Sequence, residues 1–203
     1  LRAAAQLAQD GGMNGLWLLG DAGGWLDPYL RDEGYRAVDE VITLEHLSAR
    51  ARSSRMTKTP WVTSPDAQRM RIRPAAQGDA EGVQSVDSRA FLDPWRYAPA
   101  TVTRELATAS VARIAQDGER VVGYASAVVR EEGGHINRIA VDPAAQGRGL
   151  GKALLADMID QLVLRGASRI TLNPQRSNVI SQRLYRSSGF RGLGAPLKVY
   201  HRP

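Results

Sequence analysis

The stretch QGRGLGKALL, residues 146–155, constrains the fold of this chain more than any other feature. It follows the short run RIAV and the turn DPAA, places three glycines and two cations within seven positions, and then becomes apolar. A strand, a glycine-rich loop and a helix in this order leave backbone N–H groups unpaired at the helix N-terminus, and such groups bind phosphate. Arg148 and Lys152 add positive charge there, which a diphosphate favours.

Three phosphate-binding motifs can be compared with this loop. A Walker loop requires glycine where Gln146 stands and serine or threonine where Ala153 stands, so the loop is not of that type. The dinucleotide fingerprint requires a third glycine where Lys152 stands, which excludes a Rossmann site. The pattern Q-x-x-G-x-G remains, and it is met by Gln146, Gly149 and Gly151.

Strand and helix signals alternate along the chain from residue 69. Leu150, Leu154, Met158 and Leu162 form the apolar stripe of one helix, which ends at Gly166. Predicted strands cover residues 69–75, 110–116, 120–129, 135–142 and 168–173, with two more around FRGL and LKVYH, and other helices cover 79–91, 101–109 and 179–188. Antiparallel strands come first and a strand-helix-strand-helix order follows, which predicts a mixed α/β (α+β) fold.

Composition limits the class of protein. With 203 residues, of which 43% are apolar, the chain can bury one ordinary core and a smaller second unit. The absence of cysteine excludes disulfides, thiolate metal sites and a cysteine nucleophile, and with three histidines in unrelated contexts we expect no metal. No apolar stretch approaches the roughly 18 residues of a membrane span, and no signal peptide is recognisable. We therefore expect a soluble, cytoplasmic protein with no membrane partner.

The net charge of +6 is unevenly distributed. Residues 1–47 carry three arginines against eight carboxylates, a net charge of −5, so residues 48–203 carry +11. Four cations precede Asp66, with no carboxylate among them, in the Ser-, Thr- and Pro-rich segment 48–69, which we interpret as a basic linker. Such a segment can tether nucleic acid, but only Trp61 offers a ring for base stacking, so a solvated connector is favoured.

Taken together, these motifs resemble the GNAT superfamily of N-acetyltransferases. The resemblance covers residues 70–203 in order: IRPA opens the domain, IAVDPAAQGRGLGKALL gives a cofactor strand and loop, and NVISQRLYRSSGF gives a later tyrosine-containing helix. Within the superfamily the chain is most similar to ribosomal-protein alanine N-acetyltransferases, through AFLDPW, IAVDP and the SN…LY…GF pattern. The resemblance implies a mixed, mostly antiparallel sheet that splays apart at the cofactor strand.

The resemblance also implies acetyl-CoA as cosubstrate and an amine as acceptor. Residues 139–141 would pair with the pantetheine arm, the loop would hold the pyrophosphate, and Asn178 would hydrogen-bond the cofactor. Tyr185 would act as the general acid that protonates the departing thiolate. The implied cofactor-binding residues are Ile139, Ala140, Val141, Gln146, Gly147, Arg148, Gly149, Leu150, Gly151, Lys152 and Asn178.

One position departs from the resembled pattern. Where the alanine N-acetyltransferases carry a glutamate base, this chain has Asn173, which cannot act as a base. His135 begins the preceding strand, at the position where histone-type members carry their glutamate. Because an imidazole titrates near the working pH, His135 is the candidate base. Ordered water is the alternative route for the proton. Phe91 and Trp95 lie in the loop expected on the acceptor side, although lone aromatics are more often core residues.

The N-terminal segment indicates an internal repeat. Residues 1–46 align without a gap onto residues 156–201, so that GYR at 34–36 meets GFR at 189–191. We interpret residues 1–47 as a partial GNAT-like repeat (helix, strand, helix, strands), joined by the linker to a complete domain at 70–203. Its apolar face needs a cover, so it packs on the complete domain, completes a homodimer, or belongs to a longer tandem protein. Chance similarity of two amphipathic segments is the alternative.

Two functions remain open at this point. The first is an acetyl-CoA-dependent N-acetyltransferase that transfers acetyl directly to a primary amine, such as a protein or peptide N-terminus. The second is a catalytically weak acyl-CoA-binding sensor or interaction module, which Asn173 and the truncated repeat would suit. Tyr185 favours the enzyme, because a pure binder needs no acid beside the sulfur.

Overall fold

A computed structural model describes residues 16–21, 26–47, 70–131 and 133–203. The predicted first helix of the partial repeat and the basic linker 48–69 lie outside the described residues. In chain order the elements are β1 (Leu16–Asp21), α1 (Leu26–Asp32), β2 (Arg36–Leu47), β3 (Met70–Pro74), α2 (Ala80–Ala90), α3 (Pro99–Thr108), β4 (Val111–Asp117), β5 (Arg120–Arg130), β6 (Gly133–Val141), α4 (Leu150–Leu164), β7 (Arg169–Leu172), α5 (Val179–Ser187) and β8 (Arg191–Arg202).

The chain divides into two compact units that cross the predicted domain boundary. Unit 1 comprises Leu1–Leu44, Asn173–Arg183 and Gly192–Pro203, and unit 2 comprises Glu45–Leu172 and Leu184–Arg191. Two C-terminal segments therefore group with the N-terminal segment, although the sequence places them in the domain that begins at residue 70.

Unit 2 contains strands in the order β7-β6-β5-β4-β3. Neighbours pair antiparallel from β3 to β6, and β6 pairs in parallel with β7. The expectation of a mixed, mostly antiparallel sheet is confirmed. Strand β7 can lie parallel to β6 because α4 forms the crossover between them.

Helices cover both faces of this sheet. Adjacent residues of β5 point to opposite faces: Tyr124 packs with Val83 and Val86 of α2, whereas a side chain at Gly123 would meet Leu154 of α4. The apolar stripe predicted for α4 is confirmed by the burial of Leu150, Leu154, Met158 and Leu162. Among the described helices, none combines the length and apolar character that a membrane span requires.

Unit 1 pairs the N-terminal segment with the last strand of the same chain. Strand β1 runs antiparallel to residues 197–202 of β8, and β8 lies between β1 and β2. In α1, Asp27 accepts hydrogen bonds from Lys198 Nζ (2.9 Å) and Tyr200 Oη (2.7 Å). Strand β1 and helix α1 therefore contact the last strand of their own chain, and a homodimer stays a prediction.

The C-terminal end corrects one prediction. The two strands expected around FRGL and LKVYH are one continuous strand, β8. Between these two stretches lie Gly194, Ala195 and Pro196, and glycine and proline are frequent in turns. In the structure Gly194 takes a φ of +69° inside the strand, which then continues to Arg202.

Candidate active site

The sheet of unit 2 opens along β6. Strands β6 and β7 pair only over residues 134–136 and 170–172. Strand β6 continues to Val141, and β5 pairs with it on the other side. Among the described strands, none pairs with the far edge of residues 137–141. This open edge lies where the resemblance implies a splayed sheet.

A β-bulge at Asn137 sets the faces on which the β6 side chains lie. In the pairing with β5, Ile136 and Arg138 lie opposite consecutive residues, so Asn137 is the extra residue. Before the bulge Gly134 faces α4. After it Arg138 faces α2, where it hydrogen-bonds a helix side chain. Because neighbouring side chains alternate, His135 lies on the α2 face as well.

Backbone direction decides which groups of β6 reach the open edge. The N–H of Asp142 donates to the carbonyl of Val122 in β5 (2.9 Å). Along a strand, the backbone N–H and C=O groups of successive residues point alternately to one side of the strand and to the other. The N–H and C=O groups of Ile139 and Val141 therefore point to the open edge. Those of Ala140 point to β5, so only two of the three residues at 139–141 can offer backbone groups to a ligand in the gap.

The loop after β6 and the first turn of α4 carry a row of unpaired amides. Gly147 and Gly149 have φ values of +75° and +81°, where a side chain would be strained. The amides of residues 147–152 make no hydrogen bond within the described part of the chain, and Ala153 N–H is the first to bond back, to Gly149 O (3.0 Å). Amides in this arrangement can bind a pyrophosphate.

The side chains of this loop are exposed. Arg148 Nη1 lies 3.4 Å from Asp117 Oδ2, and Lys152 has no ion pair among the described residues. Gln146 Nε2 donates to Val141 O (3.1 Å). Gln146 therefore ties the loop to the end of β6, which gives the glutamine of the motif a structural role.

Asp142, to which the sequence analysis assigned no role, anchors the same loop. Its side chain is buried and accepts hydrogen bonds from Ala144 N–H (3.0 Å), Arg120 Nη2 (2.6 Å) and Arg89 Nη2 (2.9 Å). Burial acts to raise the pKa of Asp142, but these hydrogen bonds outweigh it and hold the pKa below its ordinary value. A charged residue directly after an apolar strand is the sequence signal that could have identified it.

Tyr185 lies on α5 with a free hydroxyl. Its ring packs at 6.0 Å from that of Phe190. The hydroxyl makes no hydrogen bond within the described residues. Burial raises the pKa of Tyr185 to about 12, partly offset by the positive charge of Arg138. The phenol is therefore protonated at neutral pH and available as a donor.

His135 is oriented by β7. Its Nδ1 lies 2.8 Å from Thr171 Oγ1, and that hydroxyl donates to Gly134 O (3.4 Å). The tautomer that satisfies both contacts has the ring proton on Nδ1 and the lone pair on Nε2. Burial, and then the charge of Arg130, lower the pKa of His135, so the ring is neutral near pH 7. This arrangement suits a proton acceptor.

The acceptor-side loop is held by a buried ion pair that no motif indicated. Arg138 donates through Nε and Nη2 to Asp87 Oδ2 (2.9 and 2.7 Å), and Nη2 also donates to Trp95 O (2.5 Å). Its guanidinium lies between two rings, 3.5 Å from the centroid of Phe91 and 3.9 Å from that of Tyr97. Phe91 and Trp95 are partly exposed, and their contact with an acceptor stays a prediction.

Two predicted site residues belong to unit 1. Asn173 is exposed and directly follows β7. Asn178 Oδ1 accepts a hydrogen bond from Ser181 N–H (3.1 Å) at the start of α5, so its side chain acts as a helix cap. Their roles toward the amine and the cofactor stay predictions. Within the described residues, no three His, Asp or Glu side chains are grouped as a metal site requires.

Comparison with known proteins identifies the family. The acetyltransferase (GNAT) family profile matches residues 80–190. The chain is similar to the N-alpha-acetyltransferase RimI of Mycobacterium tuberculosis, with 33% identity over 144 residues, which are 66% of this chain and 87% of that protein. It is also similar to the ribosomal protein bS18-alanine N-acetyltransferase of Haemophilus ducreyi, with 28% identity over 132 residues, 65% of this chain and 90% of that protein.

A solved structure shows the same fold. A GCN5-related N-acetyltransferase from Sphaerobacter thermophilus matches with a TM-score of 0.67 at 18% identity, over 93% of this chain and 60% of that one. The family profile spans β6, the amide-rich loop and the helix that carries Tyr185, so sequence similarity and geometry point to the same region. This chain belongs to the GNAT family and is an acetyl-CoA-dependent N-acetyltransferase.

Proposed function

We propose that this enzyme acetylates the α-amine of a protein or peptide N-terminus, with alanine as the first residue to test. The names of both similar proteins support this acceptor. An α-amine has a pKa of about 8 and is partly neutral at physiological pH, so it loses its proton more readily than a lysine side chain. This suits a site in which Asn173 replaces the glutamate of the family. A ribosomal acceptor would place the reaction in the cytoplasm.

The open edge of β6 beside the loop of unpaired amides is the observation that carries the proposal. Ile139 and Val141 offer backbone groups to the pantetheine of acetyl-CoA. The amides of residues 147–152 donate to the pyrophosphate, and Arg148 and Lys152 neutralise its charge. An amide of the open edge also stabilises the oxyanion that forms when the acetyl carbonyl is attacked. Asn178 adds a hydrogen bond to the cofactor.

The acceptor nitrogen loses two protons during the reaction. His135 Nε2 takes the first, from the ammonium, which frees the lone pair for attack on the carbonyl carbon. The C–N bond then forms and the C–S bond breaks. Tyr185 donates its proton to the departing sulfur and regains one from the acetylated nitrogen through solvent. Asn173 orients the amine or a water molecule by hydrogen bonding.

We also propose that residues 16–47 repeat residues 171–202. Helices α1 and α5 end in the same way: the N–H of a glycine with positive φ, Gly34 or Gly189, bonds the carbonyl three residues before it. The next N–H bonds the carbonyl five residues before it, that of Leu30 or Tyr185, and a twelve-residue strand follows. Leu30 stands where Tyr185 stands, so the repeat carries no acid.

Peptide acetylation followed by mass spectrometry tests the choice of acceptor. Two peptides share one sequence that begins with alanine and contains an internal lysine; one has a free N-terminus and the other is already acetylated there. We expect one acetyl group to be added to the α-amine of the free peptide and none to the blocked peptide. Acetylation of the lysine at equal rates in both peptides would contradict the proposal.

A further inference from the structure

Glu105 of α3 is a half-buried carboxylate without a cationic partner. Its Oε1 accepts hydrogen bonds from Ser126 Oγ and Asn137 Nδ2, both at 2.6 Å. Within the described part of the chain, no arginine, lysine or histidine forms an ion pair with Glu105, and Oε2 accepts no hydrogen bond. Carboxylates that lose water on folding are normally paired with a cation. The missing partner therefore calls for an explanation.

The two donors place Glu105 at the start of the open edge. Asn137 is the bulge residue at which β6 leaves β7, and Ser126 lies opposite the residue after the bulge. Both are neutral side chains, so they orient Oε1 without neutralising its charge. His135 lies on the same face of β6, two residues earlier. Helix α4 lies on the opposite face of β6, so an acceptor that approaches the face of Glu105 and His135 does not meet α4.

The cation on the neighbouring part of β6 is already engaged. Arg138 is held by Asp87 through two nitrogen atoms and lies between Phe91 and Tyr97. The charge of Glu105 is felt at this loop: burial raises the pKa of Tyr97, Arg138 opposes the increase, and Glu105 adds to it. A fixed negative charge thus faces the acceptor-side loop.

We propose that Glu105 is the acceptor-binding carboxylate, whose free Oε2 accepts a hydrogen bond from the ammonium group of the incoming amine. This inference rests on the proposed function, because it requires a cationic primary amine on this face. Ser126 and Asn137 fix one oxygen, so the other is oriented before the amine arrives. The ammonium supplies the missing cation, and Glu105 holds the nitrogen while His135 removes its proton. Glu105 thereby selects charged amines.

A substitution that removes only the charge tests this role. Glu105→Gln keeps an oxygen that can accept the bonds from Ser126 and Asn137. We expect the KM for the alanine-starting peptide to rise about 10- to 100-fold, because a hydrogen bond to a charged group is lost. The calorimetric affinity for acetyl-CoA and the melting temperature should match those of the wild type. Glu81→Gln, at an exposed position on α2, removes the same charge and should leave every value unchanged.

Binding without chemistry separates recognition of the amine from a structural effect. In the presence of CoA, Glu105→Gln should weaken binding of the free peptide, whereas the N-acetylated peptide should bind both proteins equally. An unchanged KM, or an equal loss of affinity for both peptides, would overturn the inference. If the wild type acetylates lysine or a small diamine but no N-terminus, the proposed acceptor is wrong, and the Glu105→Gln comparison is made with the amine that reacts.

Discussion

At the scale of single residues, two buried aspartates fix the two sides of the site. Asp142 holds the loop that we propose for the pyrophosphate, and Asp87 holds, through Arg138, the loop that we propose for the acceptor. Each carboxylate has several donors, which offsets the cost of burying its charge. Tyr185 and Glu105 differ, because each keeps one polar atom without a partner in the described residues. Fully paired groups support this site, and incompletely paired groups are the candidates for contact with substrate.

Asp142→Asn should loosen the loop that we propose for the pyrophosphate. We expect the free energy of unfolding to fall by about 1–2 kcal/mol rather than the 3–5 kcal/mol of a fully buried pair, because Arg89 and Arg120 are 46% and 61% exposed. The Kd for acetyl-CoA, measured by calorimetry, should rise. Asp157 of α4 forms a similar ion pair with Arg113 of β4, so Asp157→Asn should reduce stability without changing that Kd.

The same variant has a predictable pH dependence. The lowered pKa of Asp142 means that its stabilisation is complete above the ordinary aspartate pKa of about 3.9 and is lost as pH falls through the lower folded-state value. Urea unfolding should therefore give the same difference between wild type and Asp142→Asn at pH 7 and pH 5.5, and a smaller one below pH 4. A difference that vanishes already at pH 5.5 would contradict this account of the carboxylate.

Tyr185→Phe should lower kcat and leave acetyl-CoA affinity unchanged. The phenol is protonated at neutral pH because burial raises its pKa to about 12, and the substitution removes the proton donor while keeping the ring contact with Phe190. We expect kcat to fall about 100-fold, as is typical for loss of a general acid. Tyr29→Phe, on α1, should have wild-type kcat. Equal kcat for Tyr185→Phe and the wild type would assign the proton to solvent.

At the scale of elements, local patterns were predictable and pairing details were not. The Q-x-x-G-x-G pattern identified the loop, in which the pattern glycine Gly149 needs a positive φ, and the apolar period identified α4. The bulge at Asn137 depends on the register with β5, which one strand's sequence does not encode. The two strands predicted around FRGL and LKVYH are a single strand for the same reason, since neighbouring strands decide whether such a segment stays extended.

Gly149→Ala should weaken acetyl-CoA binding more than it weakens the fold. A side chain at a φ of +81° costs about 1 kcal/mol, although a Cβ at this position meets open space. Relief of that strain would turn the amides at the start of α4 away from the loop, so we expect the Kd for acetyl-CoA to rise about tenfold. Gly166→Ala imposes similar strain at a φ of +89° at the other end of α4, and its Kd should match the wild type. Equal Kd values for all three proteins would exclude a role for the loop geometry.

At the scale of the whole molecule, the N-terminal segment holds the loop that follows β7 within unit 1. Asp39 accepts hydrogen bonds from the N–H and hydroxyl of Ser177 (3.2 and 2.5 Å), and further backbone bonds join residues 40–42 to residues 174–176. This loop begins at Asn173 and leads to Asn178. The sequence indicated that the partial repeat needs a partner, but it could not show which segment, because these contacts join residues more than 130 positions apart.

Asp39→Ala should therefore affect catalysis although Asp39 lies in the N-terminal segment. The substitution removes the two partly exposed hydrogen bonds from Ser177 and a third from the N–H of Glu40, which should reduce the free energy of unfolding by about 1 kcal/mol. If Asn178 contacts the cofactor as we propose, the KM for acetyl-CoA should rise as its loop becomes less ordered. Asp32→Ala, at an exposed position on α1, is the matched control and should keep both values. An unchanged KM for acetyl-CoA would limit the N-terminal segment to a role in stability.

The most direct test of the account is calorimetric titration of the full chain with acetyl-CoA, followed in the same sample by measurement of free CoA thiol after addition of the alanine-starting peptide. We predict one binding site per chain and thiol release that requires a free amine. Absence of binding would contradict the site on β6 and its loop. Binding without thiol release for any amine would contradict the enzyme and favour an acyl-CoA sensor.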